Sequence, residues 1–138
     1  MSEINSWSTT AASNNSAAPD GWPEDMAYSD VNNCAREMMA AAARLYKDTN
    51  GTLTTAGSST AYTLAPNRTI AAYAAGLEFV FKAHTNSGSN PTLNISSLGA
   101  IDMYEQNGSQ VDSSDLTSGR VYRAIYDATG PKFWVSQY

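Results

Sequence analysis

Two residues in this sequence have the types that nucleophilic catalysis uses, Cys34 and His84, its single cysteine and single histidine. A thiolate forms readily when an imidazole lies within hydrogen-bond reach. Their settings argue against that pairing. Cys34 falls in a helical stretch and reads as a small helix residue, while His84 ends an alternating strand and reads as its polar terminus. Carboxylates come in close pairs, Asp102 with Glu105 and Asp112 with Asp115. Such pairs hydrolyse glycosides only when they face each other across a cleft, and a chain of 138 residues offers little wall for one. They read as solvated turn residues. Asp112-Ser-Ser-Asp115 is too generic to mark a calcium loop, and no glycine-rich loop ends in Lys-Ser/Thr to cradle a phosphate. A lone cysteine excludes an intrachain disulfide and a cysteine-based zinc site. The expectation is a protein that is not an enzyme and uses no cofactor or metal.

Composition points the same way. Only 15% of residues are charged, in a chain rich in Ala, Ser, Thr and Asn, and the formal net charge is -5. An acidic surface repels phosphate backbones, and the eight Lys and Arg residues are scattered rather than clustered, so nucleic-acid binding is not expected. No apolar run approaches the roughly 18 residues that span a bilayer, so no membrane insertion is expected. Met1 to Thr10 lacks the basic start and apolar stretch of a secretory leader. The expected route is synthesis in a bacterial cytoplasm and exit inside a particle or by lysis.

Three segments would have to position whatever the protein uses. Residues 1–28 show neither helical nor strand period and contain Pro19, Pro23 and an Asp20-Gly21 turn signal, so they read as an extended arm without its own core. Tryptophan is rarely left in water without reason. Either Trp7 and Trp22 fold back on the chain's own domain, or the arm orders against a partner with Trp7, Trp22, Pro23 and Met26 as anchors. Residues 29–50 read as a helix, with Ser29 or Asp30 as cap, Lys47 in the last turn and Asn50-Gly51 as its stop. Val31, Ala35, Met38, Ala42 and Leu45 alternate four and three apart, the spacing of a heptad seam. The seam fits helix packing between subunits, the alternative being a helix packed on its own domain. Two heptads are too few to hold a coiled coil unaided, because short isolated helices are marginal in water.

Residues 51–138 switch to a period of two. Leu77, Phe79, Phe81 and Ala83 share one face, as do Leu93 and Ile95, and Ile101 to Gln106 leads into an Asn107-Gly108 turn. Thr52–Thr55 and Ala61–Leu64 are weaker strand candidates, and Asn67 to Ala75 reads as a helical turn ended by Gly76. Gly119–Asp127 and Lys132–Tyr138 form a last pair around Ala128-Thr-Gly-Pro131. The whole predicts a mainly β chain with one helix, ending in a small antiparallel sandwich or barrel-like domain. The last two strands carry large groups on both faces, which suggests that Val121, Ile125 and Trp134 are covered by another subunit, the alternative being a closed, well-filled sandwich edge.

Several stretches together resemble the N-terminal region of tailed-bacteriophage tail fibres and related tail proteins. They are Trp7-Ser-Thr-Thr-Ala-Ala-Ser-Asn-Asn-Ser16, Pro19-Asp-Gly-Trp-Pro-Glu-Asp-Met26, Ser29-Asp-Val-Asn-Asn33 and Arg36-Glu-Met-Met-Ala40. Gly51-Thr-Leu-Thr-Thr55, Ala61-Tyr-Thr-Leu64, Gly76 to Ala83, Asn94 to Ala100 and Tyr126-Asp127 fit as well, so the resemblance covers nearly the whole chain. It implies a structural virion component, a homotrimer located on the tail, whose arm docks on other virion proteins such as a tail tube, an adaptor or nozzle, or a longer fibre. Long fibres of this type continue into receptor-binding or depolymerase regions, and this sequence stops at Tyr138. A short fibre or a fibre-anchoring protein with a part in host attachment is therefore expected, with a head decoration or head fibre as the alternative. A reading from another class is a small carbohydrate-binding module, in which Tyr62, Tyr73, Tyr104 and Trp134 stack on a host surface glycan.

Overall fold

From Tyr28 to Thr49 the sequence contains neither Gly nor Pro and is dense in Ala, Met, Arg and Leu, all favourable in helices. The computed structural model, which describes residues 3–138, forms its one α-helix there, α1 (Tyr28–Thr49). Asp30 lies in the first turn and Lys47 in the last, each complementing the helix dipole. Gly51, with φ of 81°, ends the helix in the left-handed region where a side chain would be strained. Before α1 the chain makes two 3-10 turns, Ile4–Ser6 and Ala11–Ser13. By packing, the chain divides into two units, Met1–Tyr46 and Lys47–Tyr138. The segment before Tyr28 thus packs with most of the helix, and the last helical turn belongs with the strands.

Eight strands follow: β1 (Leu53–Thr54), β2 (Ala56–Gly57), β3 (Ala61–Leu64), β4 (Glu78–Lys82), β5 (Thr92–Ile95), β6 (Ala100–Glu105), β7 (Val121–Asp127) and β8 (Lys132–Gln137). Their order in the sheet is β1-β4-β7-β8-β6-β5-β3-β2. The two outermost strands are neighbours in sequence, separated by Thr55 alone. β1 pairs with β4, and β2 pairs with β3. One short stretch therefore serves both edges, and the sheet curls into a nearly closed barrel, which removes the exposed edges an open sheet would present. The barrel-like, mainly β fold with one helix is as the sequence predicts. The sheet is mixed rather than antiparallel, because β1/β4, β3/β5 and β6/β8 run parallel. Parallel pairs need long connections, and each of these pairs is separated by such a stretch of chain.

Alternation fills the barrel. Phe79, Phe81, Leu93, Ile95, Met103 and Phe133 are fully buried, joined by Tyr122, Ala124 and Tyr126 from β7. Tyr73 stacks on Tyr126, ring centroids 4.9 Å apart. The stretch 67–75, expected to be a helical turn, is a loop. Its backbone is bound from the side instead: the Asn67 and Arg68 N–H groups donate to the two carboxylate oxygens of Asp48 at 2.6 and 3.1 Å. A side-chain acceptor has replaced a helical ladder. No helix among the described residues is long and apolar enough to cross a membrane.

Candidate functional site

The anchors expected in the arm lie in the first unit. Glu3, only 4% exposed, contacts Arg44 at 2.7 Å, and Arg44 also contacts Glu37 at 2.7 Å. The Glu37 carboxylate, and then that of Glu3, raise the Arg44 guanidinium above its ordinary value. The loop above them is tied by Asn14, whose side chain accepts from the Ser8 N–H and donates to the Ser8 carbonyl. Its carbonyl accepts the Trp22 N–H at 2.8 Å. The Cys34 thiol donates to the Gly21 carbonyl, and the Trp22 indole N–H donates to the Met38 sulfur, both at 2.9 Å. The arm is therefore not a free extended strand: several of its donors meet partners in the arm itself, and the Trp22 indole meets α1. Trp7, Pro23 and Met26 are half-buried and Trp22 is exposed. Trp7, Pro19, Trp22 and Met38 line a hollow of about 120 Å³, with Asp20 and Glu37 at its wall.

The helix presents its residues in an unusual sense. Its most buried positions are Cys34, Ala41 and Asp48, with Glu37 and Arg44 half-buried between them, a heptad row that is small or charged. The expected apolar seam lies elsewhere on the helix. Val31, Met38 and Ala42 are exposed, and Ala35 and Leu45 are half-buried. Tyr28, Met39 and Tyr46 add further exposed apolar groups that the seam did not include. Cys34 and Ala41 are buried, and part of the remaining apolar surface of the helix is exposed in the single chain.

On the barrel, outward residues of β6, β7 and β8 form cross-strand pairs, Ile125 beside Trp134 and Trp134 beside Tyr104. All three are half-buried, as is Val121. The Trp134 indole N–H donates to the Asp127 carboxylate at 3.0 Å. The Thr129 backbone N–H and then this indole hold the Asp127 carboxyl below its ordinary value. The Lys132 ammonium lies 5.0 Å from the Trp134 ring centre and 5.9 Å from that of Tyr104, a cation–π arrangement across both rings. The four rings proposed for sugar stacking are not brought together. Tyr62 is 1% exposed inside the barrel, and the Tyr73 hydroxyl is engaged with the Gly99 carbonyl and the Ile95 N–H.

The residues with catalytic types are committed locally. The two His84 ring nitrogens meet the Thr55 hydroxyl at 2.9 Å and the Gly57 carbonyl at 3.2 Å, so this histidine stitches the stretch where β1 gives way to β2. Glu105 accepts from the Asn107 side chain, and Asp115 accepts the Asp112 N–H. Glu105, Asp115, Tyr122 and Gln137 are among the residues around a polar hollow of about 150 Å³. No group of three residues able to hold a metal occurs among the described residues.

One polar centre escaped the sequence reading. Asp48, fully buried, receives the Arg68 Nε–H at 2.8 Å, while the same guanidinium donates to the Glu78 carbonyl at 2.7 Å and lies over the Phe79 ring. The signal available was an acid at a helix position in phase with Cys34 and Ala41. No protein-family model matches the chain, and no curated protein matches it.

Proposed function

We propose that the chain is a non-catalytic structural component of a tailed-phage virion that self-associates through α1 and attaches through its N-terminal segment. The observation that carries this reading is the exposure of Val31, Met38 and Ala42 in the apolar seam on α1, with charged and small residues on the buried row. Apolar heptad spacing suits a second and third copy of the same helix, because symmetric self-complementary faces close into oligomers. The fibre-like resemblance selects three copies. The Val31–Leu45 seam spans only two heptads, too few to hold a coiled coil unaided, so the outward face at Val121, Ile125 and Trp134 contributes. The tail is the proposed location, with a head decoration as the alternative.

Sedimentation of the wild-type protein at micromolar concentration tests the first half. A trimeric mass is expected, and Val31→Asp, which places a charge in the seam, shifts it to monomer. A monomeric wild type overturns it. Deleting Ser2 to Asp20 tests the second half: the shortened protein is expected to keep its oligomeric mass and to be missing from purified particles. Packaging at wild-type copy number would show that the arm is not the anchor, and fractionating heads from tails decides the location.

A further inference from the structure

The hollow between the arm and α1 has a chemistry that the attachment reading leaves unspecified. Two indoles, Trp7 and Trp22, line it together with Pro19 and the Met38 side chain. The charged residues at its wall are Asp20 and Glu37, both acidic, and no Lys or Arg lines it. Trp22 is held in place by its own N–H bond to Met38, and Glu37 by its contact with Arg44. At about 120 Å³ the hollow admits the head of one side chain and not a helix or a strand. Aromatic walls with carboxylates at the rim attract a cation, and a planar guanidinium suits this best, since it stacks on indole and pairs with carboxylate in one pose.

We infer that this hollow is a receptor for a single arginine side chain presented by a protein partner. The partner offers the arginine on an exposed segment. Its guanidinium enters beside Trp22 and reaches Asp20, while Glu37 remains bound to Arg44. The inference rests on the arm being an attachment element and names what the arm would recognise.

The test uses the full chain, ¹⁵N-labelled, titrated with acetyl-Gly-Arg-Gly-amide, with the citrulline tripeptide as its uncharged match. The indole N–H signals of Trp7 and Trp22 are expected to shift saturably, while that of Trp134, bonded to Asp127 in the barrel unit, stays. Citrulline should bind at least about tenfold more weakly, the scale of a cation–π contact joined to an ion pair. Trp22→Leu should abolish the response. Asp20→Asn, which keeps the shape, should weaken it about tenfold. The titration is run at a protein concentration where sedimentation shows a single species, so that association through the seam, which shares Met38 with the hollow, does not contribute to the shifts. Equal binding of the citrulline peptide would mean an apolar occupant and overturn the inference. So would wild-type affinity in either variant that retains its helical circular dichroism, or no response in a folded wild type. If the peptide fails while the truncated arm is still excluded from particles, the arginine assignment falls and the attachment reading stands.

Discussion

Asp48 and Arg68 show how much a single residue can hold. The carboxylate is fully buried and takes four donors, from the Asn67 and Arg68 backbones and both their side chains. Replacing Asp48 by Ala leaves the Arg68 guanidinium, 5% exposed, without its counter-charge, and unfreezes the loop that carries Ile70 and Tyr73 onto the core. Breaking a buried pair by removing one partner costs about 3–5 kcal/mol. Chemical denaturation of Asp48→Ala should show a loss of that size in the barrel unit, and a change under 1 kcal/mol, roughly the level of a surface pair, would contradict the account. Tyr62 gives a second residue-scale test. Burial pushes its phenol up to about 12, with the nearby Tyr122 adding to the shift. A phenol raised above its unfolded value near 10 contributes stability that is complete below that value and is lost as pH rises toward 12. Ultraviolet titration should therefore find Tyr62 ionising late, together with barrel unfolding, beside Tyr73, which burial also raises, and Tyr62→Phe should reduce the alkaline loss.

At the scale of elements, the barrel depends on the stretch from Leu53 to Gly57. β1 and β2 are two residues each, and their pairing directions differ. Thr55 makes the switch: its N–H and hydroxyl both meet the Lys82 carbonyl, and its hydroxyl accepts the His84 N–H. Gly57 then turns with φ of 94°, where a Cβ would lie 2.2 Å from the Ala61 carbonyl oxygen. That distance cannot be accommodated without moving backbone. Gly57→Ala should open the β2–β3 edge at a cost of about 1–3 kcal/mol, the range for a strained backbone position. Hydrogen exchange should show lost protection at Gly57 to Thr63 and retained protection in β7 and β8. Uniform loss across the barrel would mean that closure is cooperative with the whole sheet. Strand existence was readable from alternation, since Phe79, Phe81, Leu93 and Ile95 point inward as their spacing required. Strand direction was not, because alternation is the same for a parallel and an antiparallel neighbour.

At the scale of the molecule, the chain packs as two units with the boundary inside α1, between Tyr46 and Lys47. The arm and most of the helix share the Glu3–Arg44–Glu37 contacts and the Gly21–Cys34 bond. Removing Ser2 to Asp20 deletes Glu3 and keeps Gly21, so it should lower amide protection around Glu37 to Arg44 while β4, β7 and β8 keep theirs. The expected loss in the first unit is on the order of 1–3 kcal/mol, the scale of a charge-assisted contact with its desolvated partner. A matching loss in the barrel would show the two units to be energetically one.

By itself the sequence determined the helix and its stop, the inward residues of the longer strands, the β7–β8 hairpin and the mainly β class. Each of these is a local consequence of period, propensity or turn chemistry. Only the tertiary structure decided which helix face is covered, because spacing marks an apolar stripe without saying whether the same chain buries it. It also decided that several of the arm's donors are met within its own unit, that Asp48 reaches the loop at Asn67, and that one five-residue stretch closes the sheet. Those features join residues distant in sequence, and side-chain geometry in three dimensions selects among pairings that look alike along the chain.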